Sequence, residues 1–274
     1  MNDTEPPEPP DEDMQARLSA VERVLGPILR PGGDALRSGG DALRNVNDRV
    51  VAPAWNRVTG IESRVQVMSA IAVAIVLIVL LPARVANHPR WLLPGLATIL
   101  FVIVLLVNPT KSPERARQLR PLTFSLLAVL SIGNAASAAR LIVDLVNGQG
   151  IKSADTLLLT GAAIWVTNMI IFAVWYWEFD RGGPGARAMM TKQYPDFVFP
   201  QMTDPTNADP EWEPHFVDYL YLSFTNATAF SPTDVMPYAR WAKVTMMAQS
   251  AVSLIVVVLV VARAVNVLGT PTGP

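Results

Sequence analysis

Five stretches of this chain run for 19 to 22 residues without a charged side chain: Val65–Ala83, Trp91–Thr110, Pro121–Ala139, Thr156–Trp177 and Val244–Ala262. A helix rises about 1.5 Å per residue, so about 20 residues cross the hydrocarbon core of a bilayer. One such run suits the buried core helix of a soluble domain, but five within 274 residues do not. Charged residues make up 16% of the chain, against roughly 25% in soluble domains. The expectation is an all-α membrane protein with five transmembrane helices, partnered by a lipid bilayer.

The rest of the composition excludes several chemistries. Without cysteine there is no disulfide framework, thiolate metal site or cysteine nucleophile. His88 and His215 are too few for a histidine-based metal site. No G-x-S-x-G or H-E-x-x-H pattern occurs, so an enzyme, a cofactor and a metal are not expected. Met1–Met14 holds six acids, four prolines and no Lys or Arg, which reads as a disordered acidic tail rather than a signal peptide. Gln15–Arg64 is amphipathic and broken by glycine, with GGDALR at 32–37 and again at 39–44. Leu29, Leu36, Leu43 and Val50 fall seven apart, as on one helical face. That pattern suits a loosely helical linker, or a helix on the membrane surface or against a second copy. The chain thus divides into tail and linker (1–64), four transmembrane helices (65–178), an acidic loop (179–239), and a last span with a short tail (240–274).

Orientation follows from the Lys and Arg residues near the span ends. One side collects Arg44, Arg49, Arg57, Arg64, Lys111, Arg115, Arg117, Arg120, Arg181, Arg187, Lys192, Arg240 and Lys243. The other has Arg84, Arg90, Lys152, Arg140 and Arg263. The bias predicts a cytoplasmic N-terminus and a cytoplasmic loop before the last span. Trp175, Tyr176 and Trp177 are placed as interfacial anchors. Glu178 and Arg181 follow at a spacing that suits a local ion pair, and Gly182-Gly183-Pro184-Gly185 reads as a helix stop with no clear helix after it.

Within the loop, YLYLSFTNATAFSPTDVMP (Tyr219–Pro237) is uncharged through Thr233 yet too short to cross a bilayer. Pro214 can open a helix there, and Glu213 suits its positive end. Phe216–Thr228 then reads as helix, ended by Ser231-Pro232-Thr233-Asp234. A short helix, an irregular return and a full span make a re-entrant segment. Backbone of that kind is tolerated at membrane depth only when buried in protein or lining a watery cavity.

Ser223 to Pro237 resembles the potassium-channel pore loop, S-F-x-T-x-T-T-V-G-Y-G-D-x-x-P. Ser223, Phe224, Thr228, Asp234 and Pro237 fall on matching positions without a gap, and a long aliphatic span follows. The filter itself departs, with Ser231 and Thr233 in place of its glycines and Pro232 in place of its tyrosine. Glycine-dependent carbonyl geometry is then out of reach, since Thr233 is β-branched and Pro232 has a fixed φ. The resemblance implies an oligomeric cation channel, a tetramer if channel-like. Thr225, Asn226, Thr228, Ser231, Pro232, Thr233 and Asp234 would line it, passing monovalent cations with a selectivity unlike potassium's. A family of bacterial five-span membrane proteins of uncharacterised activity is also similar, over roughly residues 64–268. The likeness rests on the spans, the basic loop between the pairs, WYWEFDRGG, D-Y-L-Y-L-S-F-T and A-R-A-V-N-V-L, and implies the plasma (inner) membrane. In potassium channels the pore loop opens outward, whereas the charge bias here places it inside.

Other polar residues complete the candidates. Between Gln193 and Ala239 there are seven acids and no Lys or Arg, and Glu211, Glu213 and Asp218 would form a cation-concentrating vestibule or a solvated loop. Arg140 and Asp144, four apart late in the third span, suit an ion pair on one helix face. Asn168, with Thr167, suits an interhelical hydrogen bond, and Arg263 can snorkel or face a cavity. Two functions fit: a cation channel, or a non-conducting membrane scaffold that keeps its loop as packing. No nucleic-acid partner is expected.

Overall fold

Proline, rather than loss of hydrophobicity, sets the end of the first helix. In the computed structural model α1 is Val65–Leu80, α2 Leu92–Val107, α3 Arg120–Val146 and α4 Ala154–Phe179. The structure describes residues 53–60, 62–86, 89–107, 118–149, 151, 153–204, 207–228 and 234–269. The acidic tail, the GGDALR repeat and its heptad-spaced leucines lie outside these residues. So do Lys111, Arg115 and Arg117 and the filter positions Ser231, Pro232 and Thr233. The apolar run continues to Ala83, yet α1 stops just before Leu81-Pro82, because proline has no N–H to continue a helix. Arg90 donates to the freed carbonyls of Val79 (3.3 Å) and Leu81 (3.2 Å).

After α4 come a 3₁₀ turn (Asp180–Gly182), the five-residue α5 (Pro184–Ala188), β1 (Phe197–Val198) and the four-residue α6 (Pro200–Thr203). Then follow α7 (Phe216–Thr228), β2 (Met236–Pro237) and α8 (Arg240–Gly269). β1 and β2 pair antiparallel, Phe197 opposite Pro237 and Val198 opposite Met236. Among the described residues α3, α4 and α8 are long and apolar enough to cross a membrane, while α1 and α2 are apolar helices of 16 residues. The molecule is therefore mostly helical, as an all-α membrane protein would be.

α4 is the central post and packs against α1, α3, α7 and α8. Ser153 caps it, accepting from Thr156 N at 3.4 Å, and Asp155 suits its positive end. At Gly161 it lies so close to α8 that a Cβ there would stand 2.8 Å from the Val260 methyls. One core fills the end of the bundle that carries the 179–215 loop: Ile71, Leu126, Leu127, Ile171, Val174, Trp177, Phe197, Phe216 and Leu222. A second, around Leu141, Leu157, Ile164, Val256 and Val260, fills the opposite end. Outward faces stay aliphatic: Leu96, Ile99, Ile103 and Leu106 of α2, and Met247, Leu254, Val258, Val261 and Val265 of α8. Apolar surface so extensive suits lipid rather than water.

Three local expectations are corrected. Tyr176 and Trp177 are fully buried rather than interfacial, because Glu62 and Arg64 cover Trp177 and Phe197 of the loop packs on Tyr176. Glu178 does not pair with Arg181. The chain leaves the helix at Arg181 (φ 50°), so Glu178 faces Arg64 (3.7 Å) and Arg120 (3.8 Å) while Arg181 lies 4.0 Å from Asp180. The glycine run does stop α4, but a short helix, α5, follows it.

Gly183 sits at φ 94°, and a Cβ there would lie 2.9 Å from the Glu178 carbonyl oxygen. Gly183→Ala is expected to cost about 1–3 kcal/mol, seen as a lower unfolding temperature in detergent. Gly60→Ala, with nothing within 4 Å of the added carbon, should change stability by less than about 0.5 kcal/mol.

Candidate functional site

α7 begins at the loop end of the bundle and stops deep against α8. At its start Phe216 N donates to Glu62 Oε1 (2.7 Å), and the Tyr219 hydroxyl donates to Asp180 Oδ2 (2.6 Å). His215 N donates to Asp218 Oδ2 (2.8 Å), which closes the first turn. Burial raises the Asp218 carboxyl above the usual range, opposed by that backbone hydrogen bond. Thirteen residues later the helix ends beside Met246, Gln249 and Ser250. The chain then returns to β1 at the loop end, where Tyr238 N donates to the Asp196 carbonyl (2.9 Å).

A carboxamide holds the deep end in place. Gln249 is fully buried, and its Oε1 accepts from the Tyr176 hydroxyl (2.6 Å) and from Asn226 Nδ2 (2.7 Å). Its Nε2 donates to Ser223 Oγ (2.6 Å) and Ser223 O (2.9 Å). Asn226 Nδ2 also donates to the Met246 carbonyl (3.0 Å), and Ser250 Oγ donates to Asn226 O (2.9 Å) and Oδ1 (3.0 Å). Ser223 Oγ donates to Met169 O (2.7 Å), and one turn deeper Asn168 Nδ2 donates to Ser253 Oγ (3.1 Å). Three helices, α4, α7 and α8, are thus joined by one polar network. Isolated polar groups in such surroundings would each cost several kcal/mol, about 2–7 by transfer measurements.

The loop end is organised by three carboxylates, Asp180 and Glu178 fully buried and Asp196 partly so. Asp180 accepts from Asp196 N (3.0 Å), Phe197 N (3.3 Å) and the Tyr219 hydroxyl, so it holds β1 and α7 together. Asp196 accepts from Arg181 N (2.7 Å) and Trp241 Nε1 (3.1 Å), which adds the start of α8. Glu178, fully buried, faces Arg64 and Arg120, and Arg120 also donates to the Glu178 carbonyl (2.7 Å). Burial pushes the Arg64 guanidinium below its ordinary value, and Glu178 opposes that shift. Arg187 donates to Trp177 O (2.5 Å) and Asp180 O (3.1 Å) and lies over the Trp177 and Tyr219 rings.

The candidates named from sequence fall into distinct places. Thr225 and Thr228 turn their hydroxyls back onto carbonyls of their own helix, and Asn226 is consumed by Gln249, Met246 and Ser250. Asp234 is exposed at the return. Glu211 pairs with Arg57, Glu213 lies 3.9 Å from the His215 ring, and Asp218 serves the first turn of α7. Arg140 and Asp144 do not pair with each other. Asp144 accepts from Arg84 (2.8 Å), and Arg140 donates to the Ala86 carbonyl, since both side chains reach across to the α1–α2 turn. Arg263 is half-buried near the end of α8, its Nε without a hydrogen-bond partner among the described residues. Among the described residues no cluster of His, Asp or Glu could hold a metal ion. The sequence does not single out Glu62, Asp180, Gln249 or Ser250, and it offers Tyr176 as an interfacial anchor rather than as a partner of Gln249. Thr245, Gln249 and Ser253, four apart in the last apolar run, were a readable polar stripe.

Compared with protein-family models, curated proteins and solved structures, the chain matches none.

Gln249→Leu should strand the Tyr176 hydroxyl and donors or acceptors of Asn226 and Ser223. The expected loss is about 1–3 kcal/mol, measured as a lower unfolding temperature in mild detergent. Ser253→Ala, which removes one partner of Asn168, should cost less than half of that.

Proposed function

We propose that this chain is a five-span membrane protein in which α7 is a re-entrant half-helix of a cation pathway, assembled from copies of the chain around a shared axis. The observation that carries the reading is the path of α7. It leaves the loop end, stops beside Met246–Ser250 after 13 residues, and is followed by β2, which pairs with β1 back at the same end. Thirteen helical residues cover about 20 Å, enough to reach the middle of a bilayer and too little to cross it. The negative end of the α7 dipole then lies at depth, where it favours a cation. With Asn226 and Ser223 committed to Gln249, the proposed ion-facing groups narrow to Ser231, Thr233 and Asp234. The likeness of Ser223–Pro237 to potassium-channel pore loops supports the same reading, with a monovalent cation and a different selectivity. Arg57, Arg64, Arg120, Arg181 and Arg187 gather at the loop end, which supports a cytoplasmic loop and N-terminus in a bacterial inner membrane.

A second reading, a non-conducting scaffold, is favoured by the full use of the Gln249 and Asn226 amides inside the protein. On that reading α7 is packing.

Purified protein in liposomes should pass monovalent cations, and Asp234→Asn should lower the cation-over-anion preference severalfold. Liposomes that stay tight under every ion and voltage, together with a monomer in mild detergent, would establish the scaffold instead. Cysteines at Asp218 and Tyr238 should label from one face of the membrane, and labelling from opposite faces would exclude a re-entrant α7.

A further inference from the structure

Residues 53–60 and Glu62, which precede α1, cross the loop between α4 and α7 and are fastened to it at successive points. Ala54 N donates to Pro210 O (2.7 Å), Arg57 pairs with Glu211, and Thr59 N donates to Ala188 O (3.1 Å). From the loop side, Arg181 donates to Trp55 O (2.7 Å). The segment ends on Glu62, whose two carboxylate oxygens have different partners. Oε1 accepts from Phe216 N, the first amide of α7, and Oε2 accepts from Trp177 Nε1 (2.6 Å) at the end of α4. Two residues on, Arg64 lies 5.4 Å from the Trp177 ring centre and 3.7 Å from Glu178.

Helix N-termini need acceptors for their first amides, and a neighbouring Ser, Thr, Asp or Asn ordinarily supplies one. Here Asp218 is already occupied by His215 N, and the acceptor for Phe216 comes from 154 residues away. A carboxylate also suits the positive end of the α7 dipole. We propose that Glu62 is the positioning residue of α7, and that residues 53–60 with Glu62 form a strap transmitting displacement of the segment before α1 to that half-helix. Each strap contact falls on a different piece of the loop: Arg181 at the end of α4, Ala188 at the end of α5, Pro210 and Glu211 ahead of α7. A pull on the strap therefore moves the loop and the start of α7 together. Asp180 holds the same end of α7 through Tyr219, while Met169, Met246, Gln249 and Ser250 hold Ser223 and Asn226 further along, so the helix is held at both ends and its tilt is set by their relation. This coupling stands whether or not α7 lines a conduit; its use as a gate rests on the reading proposed above.

Amide hydrogen exchange on the full chain in lipid nanodiscs tests it. Glu62→Ala should speed exchange across residues 214–222 about tenfold, as loss of a cap does, while peptides from α3 and α8 keep wild-type rates. Glu62→Gln, whose single carbonyl can serve only one of the two donors, should give an intermediate rate. Arg57→Ala, which does not touch α7, should speed the same peptide by about two- to threefold. Unchanged exchange at 214–222 in Glu62→Ala would overturn the assignment, and so would uniform acceleration of every helix. An effect of Glu62→Ala without any effect of Arg57→Ala would overturn the strap. Should Glu62→Ala fail to fold, Glu62→Gln and Arg57→Ala carry the same test. In liposomes that conduct, Glu62→Ala should change flux severalfold; if wild-type liposomes stay tight, the gate fails while the exchange result still decides the strap.

Discussion

The placement of α7 depends on one fully buried carboxamide. Gln249 uses both sides of its amide, accepting from Tyr176 and Asn226 and donating twice to Ser223. A helix that ends inside a bundle leaves unpaired carbonyls, and apolar walls cannot answer them. α8 answers with two donors, the Gln249 amide to Ser223 O and the Ser250 hydroxyl to Asn226 O, while its Met246 carbonyl accepts from the Asn226 amide. Because every partner is satisfied, the network fixes one depth and one rotation for α7. A half-satisfied version would be worse than an all-apolar contact.

The other end is fixed by charge instead of amides. Asp180 binds α7 and β1, Asp196 binds the start of α8, and Glu178 faces two arginines from the starts of α1 and α3. This is possible because α4 stops abruptly. Arg181, Gly182 and Gly183 all adopt positive φ, so Arg181 parts from Glu178 to lie beside Asp180, and Glu178 is left to Arg64 and Arg120. A buried ion pair of this kind contributes little net stability, but removing one partner from it is costly. Its value lies in register: it tells the five segments that meet at this end where to sit.

Much of this architecture was legible in the residues. The apolar runs marked the helices, and the turn chemistry around Pro214 and Ser231–Asp234 bracketed a helix over Phe216–Thr228. The charge bias also grouped the arginines that meet at the loop end. What escaped was partnership across distance. Arg140 and Asp144 are four apart, yet each finds a closer partner on the α1–α2 turn. Spacing tells which side chains share a face, but not what another segment brings to that face. The WYWEFDRGG run read as an interfacial belt because aromatic girdles and aromatic cores have the same composition. Only the covering strap and loop distinguish them. Asn226 read as a ligand for the same reason: a buried amide and an ion-binding amide are the same group until the neighbour, Gln249, is known.

α2 stands apart from this economy of specific contacts. Ala97 and Val104 are its buried residues, and Leu92, Leu96, Ile99, Val102, Ile103, Leu105, Leu106 and Val107 look outward. Such a surface asks only for oiliness and length, so its aliphatics are interchangeable. In a set of divergent homologues this helix would drift fastest in identity while keeping its character. Gly161, Gln249 and Asp180 would stand nearly still.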